Sequence, residues 1–428
     1  MRVYVAPAGI GLGHITRCEP IADALVATGT KVVYSTYLDG LDYARKRGLP
    51  TLPTVPIGFK VKQDGTVDFK MTAATSGFSL GVRRFLRQVL AEIRNIKRFK
   101  ADVVLSDSRA SSLIAAKLLG VPVALILNQF RVEIVKKPSR RHVGVVDRLF
   151  FLIANIFWTL FRTFLGGVWA RSDLMLVPDF PPPYTISASN LTIPERYRKK
   201  VRLVGPIVPV QPSDLPAQGA LKASLFFDSR KPLVYAAVSG PRIERRVLSD
   251  LLLRDLNQFP SEFEVALSRG EPSGSSAPVR TGNLTVYDWV EDQYDLLKAS
   301  DIVISRAGHG TIMKSIVLGK PMILIPVPDH TEQYGNATRA SKLGFAELLP
   351  QNDVTTERLL ATVKRLLGSE GHNSVSRGNH IADRKRENRI WHMEQVVGAS
   401  PIEVAADEIM KLAGTSYFAA NVEPASGH

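Results

Sequence analysis

The chain has 428 residues, 45% of them apolar, one cysteine and a formal net charge of +15. That length exceeds one ordinary core and points to two or three domains, while the apolar share excludes a disordered chain. Cys18 alone excludes an internal disulfide and fits a reducing cytoplasmic setting, and the cationic excess calls for an anionic partner.

Met1-Arg-Val-Tyr-Val-Ala-Pro-Ala shows no signal-peptide cleavage pattern and runs straight into a strand over Arg2–Ala6. Gly9-Ile-Gly11-Leu-Gly13-His14 follows, then a helix from Ile15 to about Thr28 with Gly29 as its stop. Lys31–Thr36 is the next strand. A dinucleotide site would need an acidic residue after it, and Tyr34-Ser-Thr-Tyr37 stands there instead. An imidazole titrates near neutrality, so His14, just past a strand end, suits removal of a hydroxyl proton. Residues 83–100 carry Arg83, Arg84, Arg87, Arg94, Lys97, Arg98 and Lys100 against Glu92, a pattern that equally describes a solvated helix face. Strands over Asp102–Asp107 and Val121–Leu127 flank a helix over Ser111–Leu119. Asp107, at a strand's carboxyl end, is placed to orient His14 and stabilise its imidazolium. The plainer alternatives are a helix-start His14 and an N-capping Asp107.

Residues 131–148 hold a second basic cluster. Leu149 to Leu165 is the most apolar stretch, with Phe150, Phe151, Phe157, Trp158 and Phe161. Arg162 falls where the middle of a membrane span would lie, which favours an interfacial helix over a crossing one. A core helix is the alternative. Aromatic residues beside cations point to an anionic membrane surface. No zinc finger or RNA-recognition signature accompanies the charge, so nucleic acid is not an expected partner.

Val201–Pro209 and the Pro- and Gln-rich stretch to Gly219 read as a linker. A second α/β set follows, with strands over Leu233–Val238, Phe263–Leu267, Leu284–Tyr287, Asp301–Ile304 and Pro321–Ile325. The alternation predicts an α/β chain with two doubly wound, mainly parallel sheets. Ligands bind such sheets where strands end and helices begin. There stand Arg306-Ala-Gly308-His309-Gly310-Thr311 and, further on, Glu332-Gln333-Tyr-Gly-Asn336-Ala337. Gly308 and Gly310 let backbone N–H groups approach an anion, helped by the helix dipole and the Arg306 fork. Glu332, Gln333 and Asn336 offer acceptors and donors to a polyhydroxylated ligand. The expected ligand is a phosphate attached to a sugar. Residues 369–399 are highly charged, and Ser400-Pro401-Ile402-Glu403 predicts a capping box opening a helix to about Ala413.

The Arg306–Thr311 turn and the Glu332–Ala337 element resemble the donor half of GT-B nucleotide-sugar glycosyltransferases. The likeness is to the MurG-like group, which includes the eukaryotic and archaeal enzymes adding N-acetylglucosamine to dolichyl-diphosphate-linked sugar. It implies two Rossmann-like domains facing across a cleft. Residues 1–205 would form the acceptor and membrane domain and 206–370 the donor domain. Residues 371–428 would form a charged helical extension that crosses back. In the acceptor loop Gly11, Gly13 and His14 match residue by residue. The resemblance assigns Ser239, Gly240, Arg306, Gly308, His309, Gly310 and Thr311 to the diphosphate, Trp289 and Val290 to the base, and Glu332, Gln333 and Asn336 to the sugar. One position departs. The group usually places a ribose-holding Glu three residues after the Thr; here Lys314 stands there, which only donates. The donor base or sugar would then differ, or Lys314 would bind phosphate.

No Asp-x-Asp motif occurs, so neither metal nor cofactor is expected. The implied activity is inverting transfer, most simply of N-acetylglucosamine from UDP, to a polyprenyl- or dolichyl-diphosphate-linked sugar. The protein would be peripheral on the cytoplasmic membrane face. A soluble-acceptor transferase, a nucleotide-sugar epimerase and a non-catalytic glycolipid binder are the alternatives.

Overall fold

Two seven-stranded sheets organise the chain. The computed structural model describes residues 1–57, 78–130, 156, 159–368 and 400–414. The first sheet runs, edge to edge, Thr51–Pro53, Lys31–Thr36, Arg2–Pro7, Val103–Asp107, Val123–Ile126, Leu174–Val177, Val201–Leu203. All its pairings are parallel. Its central strands are unbroken apolar runs: Val3, Val103, Val104 and Val123 are fully buried, as a sheet covered on both faces requires. The second sheet runs Val279–Thr281, Leu284–Tyr287, Glu264–Ser268, Leu233–Ala237, Ile302–Ser305, Met322–Leu324, Ala346–Leu348. Its one antiparallel pair joins the edge strand Val279–Thr281 to Leu284–Tyr287.

Register decides where the loops meet. Pro7 pairs with Asp107, so the loop after the first strand opens beside the end of the fourth. Ala237 pairs with Ser305, aligning the loops that carry Gly240 and Arg306. Gly9 is obligatory in the first loop: a Cβ there would lie 1.9 Å from the Tyr37 carbonyl oxygen.

Segments of the described chain cross between the two halves and tie them together. After Leu174–Val177, residues Phe180 and Ile186 pack into the second domain's core beside Met313 and Ala337. The helix Pro401–Leu412 returns to the first domain, burying Ala405, Ala406, Ile409 and Met410 against Ile15, Cys18, Ile21 and Leu25. Pro401 takes the first helical position, but Ser400 makes no capping bond, so the expected Ser400–Glu403 box does not form. The stretch read as a linker begins with an edge strand, Val201–Leu203, since pairing with Met175–Val177 extends the sheet.

Helix Phe78–Phe99 carries the first basic cluster on its exposed side. Glu92, the lone acid in that run, turns into the core and accepts from Tyr4 at 2.8 Å, Ser35 at 3.0 Å and Arg109. Residues 159–169 are helical, and Phe164 meets Phe85 edge-on, 6.1 Å between centroids. No described helix is long and apolar enough to cross a membrane. Phe161 lies half-buried in that helix. Phe150, Phe151, Phe157, Trp158, the 131–148 cluster and the charged 369–399 stretch lie outside the described residues.

Ile409 is fully buried in the first domain's core. Ile409→Ala is expected to destabilise that domain by about 2–5 kcal/mol, read as a lowered urea midpoint. An unchanged midpoint would show that the returning helix does not clasp the domain.

Candidate active site

The first half of the site hangs on one carboxylate. Asp107 is fully buried at the end of Val103–Asp107. His14 opens the helix Gly13–Ala27, and its Nδ1 lies 2.8 Å from Asp107 Oδ1. Arg17 donates twice to the same carboxylate, from Nη2 at 2.6 Å and Nε at 2.9 Å. Ser108 Oγ donates at 3.2 Å and Cys18 Sγ approaches to 3.8 Å. Burial would raise the Asp107 carboxyl, but Arg17 and His14 outweigh it and hold it well below the ordinary range. An ionised Asp107 requires the proton on His14 Nδ1, which leaves Nε2 as a base. The His14 side chain is 29% exposed, and Nε2 has no hydrogen-bond partner among the described residues. The sequence reading paired His14 with Asp107 but missed Arg17. The signal was there: residues three apart share a helix face.

The second half is a buried cation with free donors. Arg306 is 2% exposed; its Nη1 donates to the Ile325 carbonyl at 3.1 Å, while Nε and Nη2 find no partner. Burial brings it down to about 10, opposed by Glu244. Glu244, in the first turn of Arg242–Leu256, is pushed up to about 7 by burial; Arg306 pulls it down and Glu332 pushes it further up. Gly308 caps the helix His309–Val317 without a side-chain bond, so its first N–H groups are open. A Cβ on Gly308 or Gly310 would touch nothing within 4 Å, so space lies before this turn. Thr311 is half-buried beside it.

Several predicted ligand residues shape the site instead. His309 is buried, with Nε2 3.1 Å from Asp179, which also accepts from the backbone of Phe180, Ile186 and Ser187. That ties the His309 side chain to the crossing segment and leaves only its backbone N–H, at the helix start, for a diphosphate. Asn336 is fully buried; Nδ2 donates to the Ala307 carbonyl at 3.2 Å, and Oδ1 accepts from Asn190 at 3.1 Å. Gln333 Oε1 accepts from Val327 N at 2.9 Å. Both therefore pin loops, and these atoms are not offered to a sugar. Glu332 does face the cleft: its Oε1 accepts from Asn128 of the first domain at 3.0 Å, and it acts electrostatically on Arg17. Asn128 lies just past the strand Val123–Ile126, at the sheet's carboxyl edge, and was not singled out.

At the nucleoside end Trp289 is no open wall. It packs into the first domain's core, 6.0 Å edge-on from Tyr43, with Lys46 Nζ 5.3 Å above the ring. Val290 packs on the second domain's core. Lys314 Nζ lies 5.5 Å from the Tyr294 ring; burial lowers it to about 8, and Glu19 and Asp292 oppose that. Glu19 reaches this cluster from the first domain, accepting from Tyr43 at 2.5 Å and Arg47 at 2.9 Å. Glu19 thus acts on Lys314 electrostatically while both its oxygens are committed within the first domain. Asp39 joins the halves, accepting from Gly11 N at 3.1 Å and Arg245 Nη1 at 3.2 Å. Arg245 also donates to the Gly240 carbonyl at 2.8 Å and to Glu271 at 3.2 Å. Gly11 has φ +70°, and a Cβ there would lie 3.3 Å from the Gly240 carbonyl carbon. Ser239 is half-buried just before Gly240, and Gly13 is exposed. No group of three or more candidate metal ligands occurs among the described residues.

Two parallel-dominated sheets facing across such a cleft define the GT-B architecture. Solved structures agree on the fold. CalG4, the calicheamicin glycosyltransferase, superposes with a TM-score of 0.60 at 16% identity, over 97% of this chain and 98% of that one. MurG of Acinetobacter baumannii gives 0.52 at 17%, over 96% and 99%. Residues 245–386 match the glycosyltransferase family 28 C-terminal domain. An uncharacterized glycosyltransferase of Methanosarcina acetivorans is 27% identical over 88% of this chain and 93% of its own length. The UDP-N-acetylglucosamine--N-acetylmuramyl-(pentapeptide) pyrophosphoryl-undecaprenol N-acetylglucosamine transferase of Geobacillus thermodenitrificans is 34% identical over 33% of this chain and 40% of its own. The chain is a glycosyltransferase of GT-B fold that resembles the MurG-like group.

Asp107 supplies stability through its depressed folded-state pKa. That contribution is complete above the unfolded value, about 3.9, and is lost as pH falls below it toward the folded one. Asp107→Asn is expected to lower stability at pH 7 by about 3 kcal/mol. The difference from wild type should shrink below pH 4 in chemical denaturation. A pH-independent difference would show that the charge is not the cause.

Proposed function

We propose that the chain moves N-acetylglucosamine from UDP-N-acetylglucosamine to a hydroxyl of a polyprenyl-diphosphate-linked sugar, with inversion and without metal. The carrying observation is the opposition of two features across one cleft. On one wall an oriented imidazole presents a free Nε2. On the other, Arg306 presents two unpartnered guanidinium donors beside an uncapped helix N-terminus.

The acceptor hydroxyl attacks the anomeric carbon as its proton passes to His14 Nε2. Asp107, bonded at Nδ1, stabilises the imidazolium that forms. The bond from the anomeric carbon to the β-phosphate oxygen breaks on the opposite face. The leaving diphosphate gains charge, which Arg306 and the open N–H groups of His309–Val317 receive. Glu332, held by Asn128, stands between these groups and suits the donor sugar's hydroxyls. The named activity of the Geobacillus relative supports the choice of donor and lipid acceptor.

An exposed apolar surface supports docking at the inner membrane face. Val82, Leu86 and Leu90 line the helix Phe78–Phe99 at 40%, 53% and 58% exposure, and Ile156, Leu160 and Phe164 stand exposed on the segment whose Phe164 meets Phe85 of that helix. Arg83, Arg84, Arg87 and Arg94 are exposed on the same helix. Apolar residues flanked by cations suit an interface of anionic lipid. Lys314 favours a second reading, in which the donor nucleotide is not UDP.

Transfer to a lipid-linked acceptor, followed by mass spectrometry, tests the proposal. His14→Ala should cut kcat by roughly 10²- to 10⁴-fold with donor affinity kept. Arg306→Ala should weaken donor binding by roughly 10- to 100-fold. No product from any nucleotide sugar would refute transfer; product from another nucleotide alone would refute UDP. Leu86→Glu with Leu90→Glu should abolish sedimentation with anionic vesicles while leaving donor binding intact. Unchanged sedimentation would place the membrane contact elsewhere.

A further inference from the structure

Glu244 has no role in the scheme above, yet it sits at its centre. It is 7% exposed in the first turn of Arg242–Leu256, a helix whose N-cap, Pro241, supplies no side-chain bond. Its Oε2 lies 3.3 Å from where a Cβ on Gly240 would stand, so it lies against the loop that precedes the helix. The charged groups acting on it are Arg306, from the loop before His309–Val317, and Glu332, from Thr331–Lys342. His330, beside Glu332, also feels Arg306. On its own helix, Arg245 is committed to Asp39, Glu271 and the Gly240 carbonyl.

Among the described residues the Glu244 carboxyl makes no hydrogen bond, and no ion pair within 4.0 Å joins it to Arg306. A buried carboxylate with neither is unfavourable, and so is a guanidinium with two unused donors. Both groups border the same uncapped helix ends. An anion placed among them would take donors from Arg306 and from the backbone. An ionised Glu244 would repel that anion; a protonated one would donate its O–H to it.

We propose that Glu244 binds the donor diphosphate as a neutral carboxylic acid, taking one proton from solvent when the donor binds. This rests on the donor reading above. The pull of burial and Glu332 has already brought the group near neutrality, so the added diphosphate needs only to complete the protonation. The site then loads a doubly charged diphosphate without a net carboxylate beside it, and binding weakens as the medium turns alkaline.

The experiment is calorimetric titration of wild type and Glu244→Gln with UDP-N-acetylglucosamine and, as a second probe, dTDP-glucose. Both diphosphates are diesters and do not titrate near neutrality. Runs at pH 8 in buffers of differing ionisation enthalpy count protons. Wild type should take up about one proton, and its Kd should rise about tenfold per pH unit from 7.5 to 9. Glu244→Gln keeps a donor but cannot titrate, so uptake and slope should both vanish while binding persists. Binding by wild type without proton uptake would overturn the proposal and leave the donor site standing. Uptake that survives in Glu244→Gln would assign the proton to another group, Lys314 first, and would also overturn it. Failure of both probes to bind would overturn this proposal together with the donor reading.

Discussion

Everything on the first domain's face of the cleft depends on how one buried carboxylate is satisfied. Asp107 has no access to water and takes donors from His14 and Arg17 at once. The imidazole is charged only when it holds an extra proton, whereas the guanidinium is always charged and keeps Asp107 ionised throughout. The ionised form in turn dictates the imidazole tautomer, leaving Nε2 to face the cleft. The surrounding fold serves this contact: register brings Pro7 beside Asp107, Gly9 lets the loop pass under Tyr37, and the returning helix Pro401–Leu412 backs the helix that carries His14 and Arg17.

The opposite wall uses the reverse arrangement. There the buried charge is a cation, Arg306, left short of acceptors, and Glu244, which acts on it electrostatically, makes no ion pair with it. A buried ion with free donors is stable only if the fold holds it rigidly, and Asn336 does so by tying the Ala307 carbonyl to Asn190. The two walls are held in register by Asp39 and Arg245, and by Trp289 lodged in the first domain's core. The domains therefore meet through specific buried contacts, and the polar groups of both walls converge on one space.

What could be read from sequence divides by range. Strands such as Lys31–Thr36 and Leu284–Tyr287 are recovered residue for residue because β-branched and aromatic residues fill them and Gly29 and Gly282 stand just before them. The His14–Asp107 pair could be inferred because each residue ends or follows a strand. Short edge strands such as Val201–Leu203 and Ala346–Leu348 carry only three residues of pattern and were read as linker or passed over. The larger misses are long-range. Nothing local to His309, Gln333 or Asn336 reveals that each is consumed by Asp179, Val327 or Ala307. Likewise Arg245, Asp39 and Glu244 look like ordinary surface charges on helices until the two domains meet around them. Tertiary contacts divide the residues of the motif between groups left open to the cleft and groups spent on scaffold.

The central claim is that donor diphosphate and acceptor base meet in this cleft. A crystal structure of the protein bound to UDP-N-acetylglucosamine tests it most directly. The account predicts the diphosphate against Arg306 Nε and Nη2 and the turn at Gly308–Thr311, with the anomeric carbon between Glu332 and His14 Nε2. A diphosphate bound elsewhere, or a sugar directed away from His14, would contradict it.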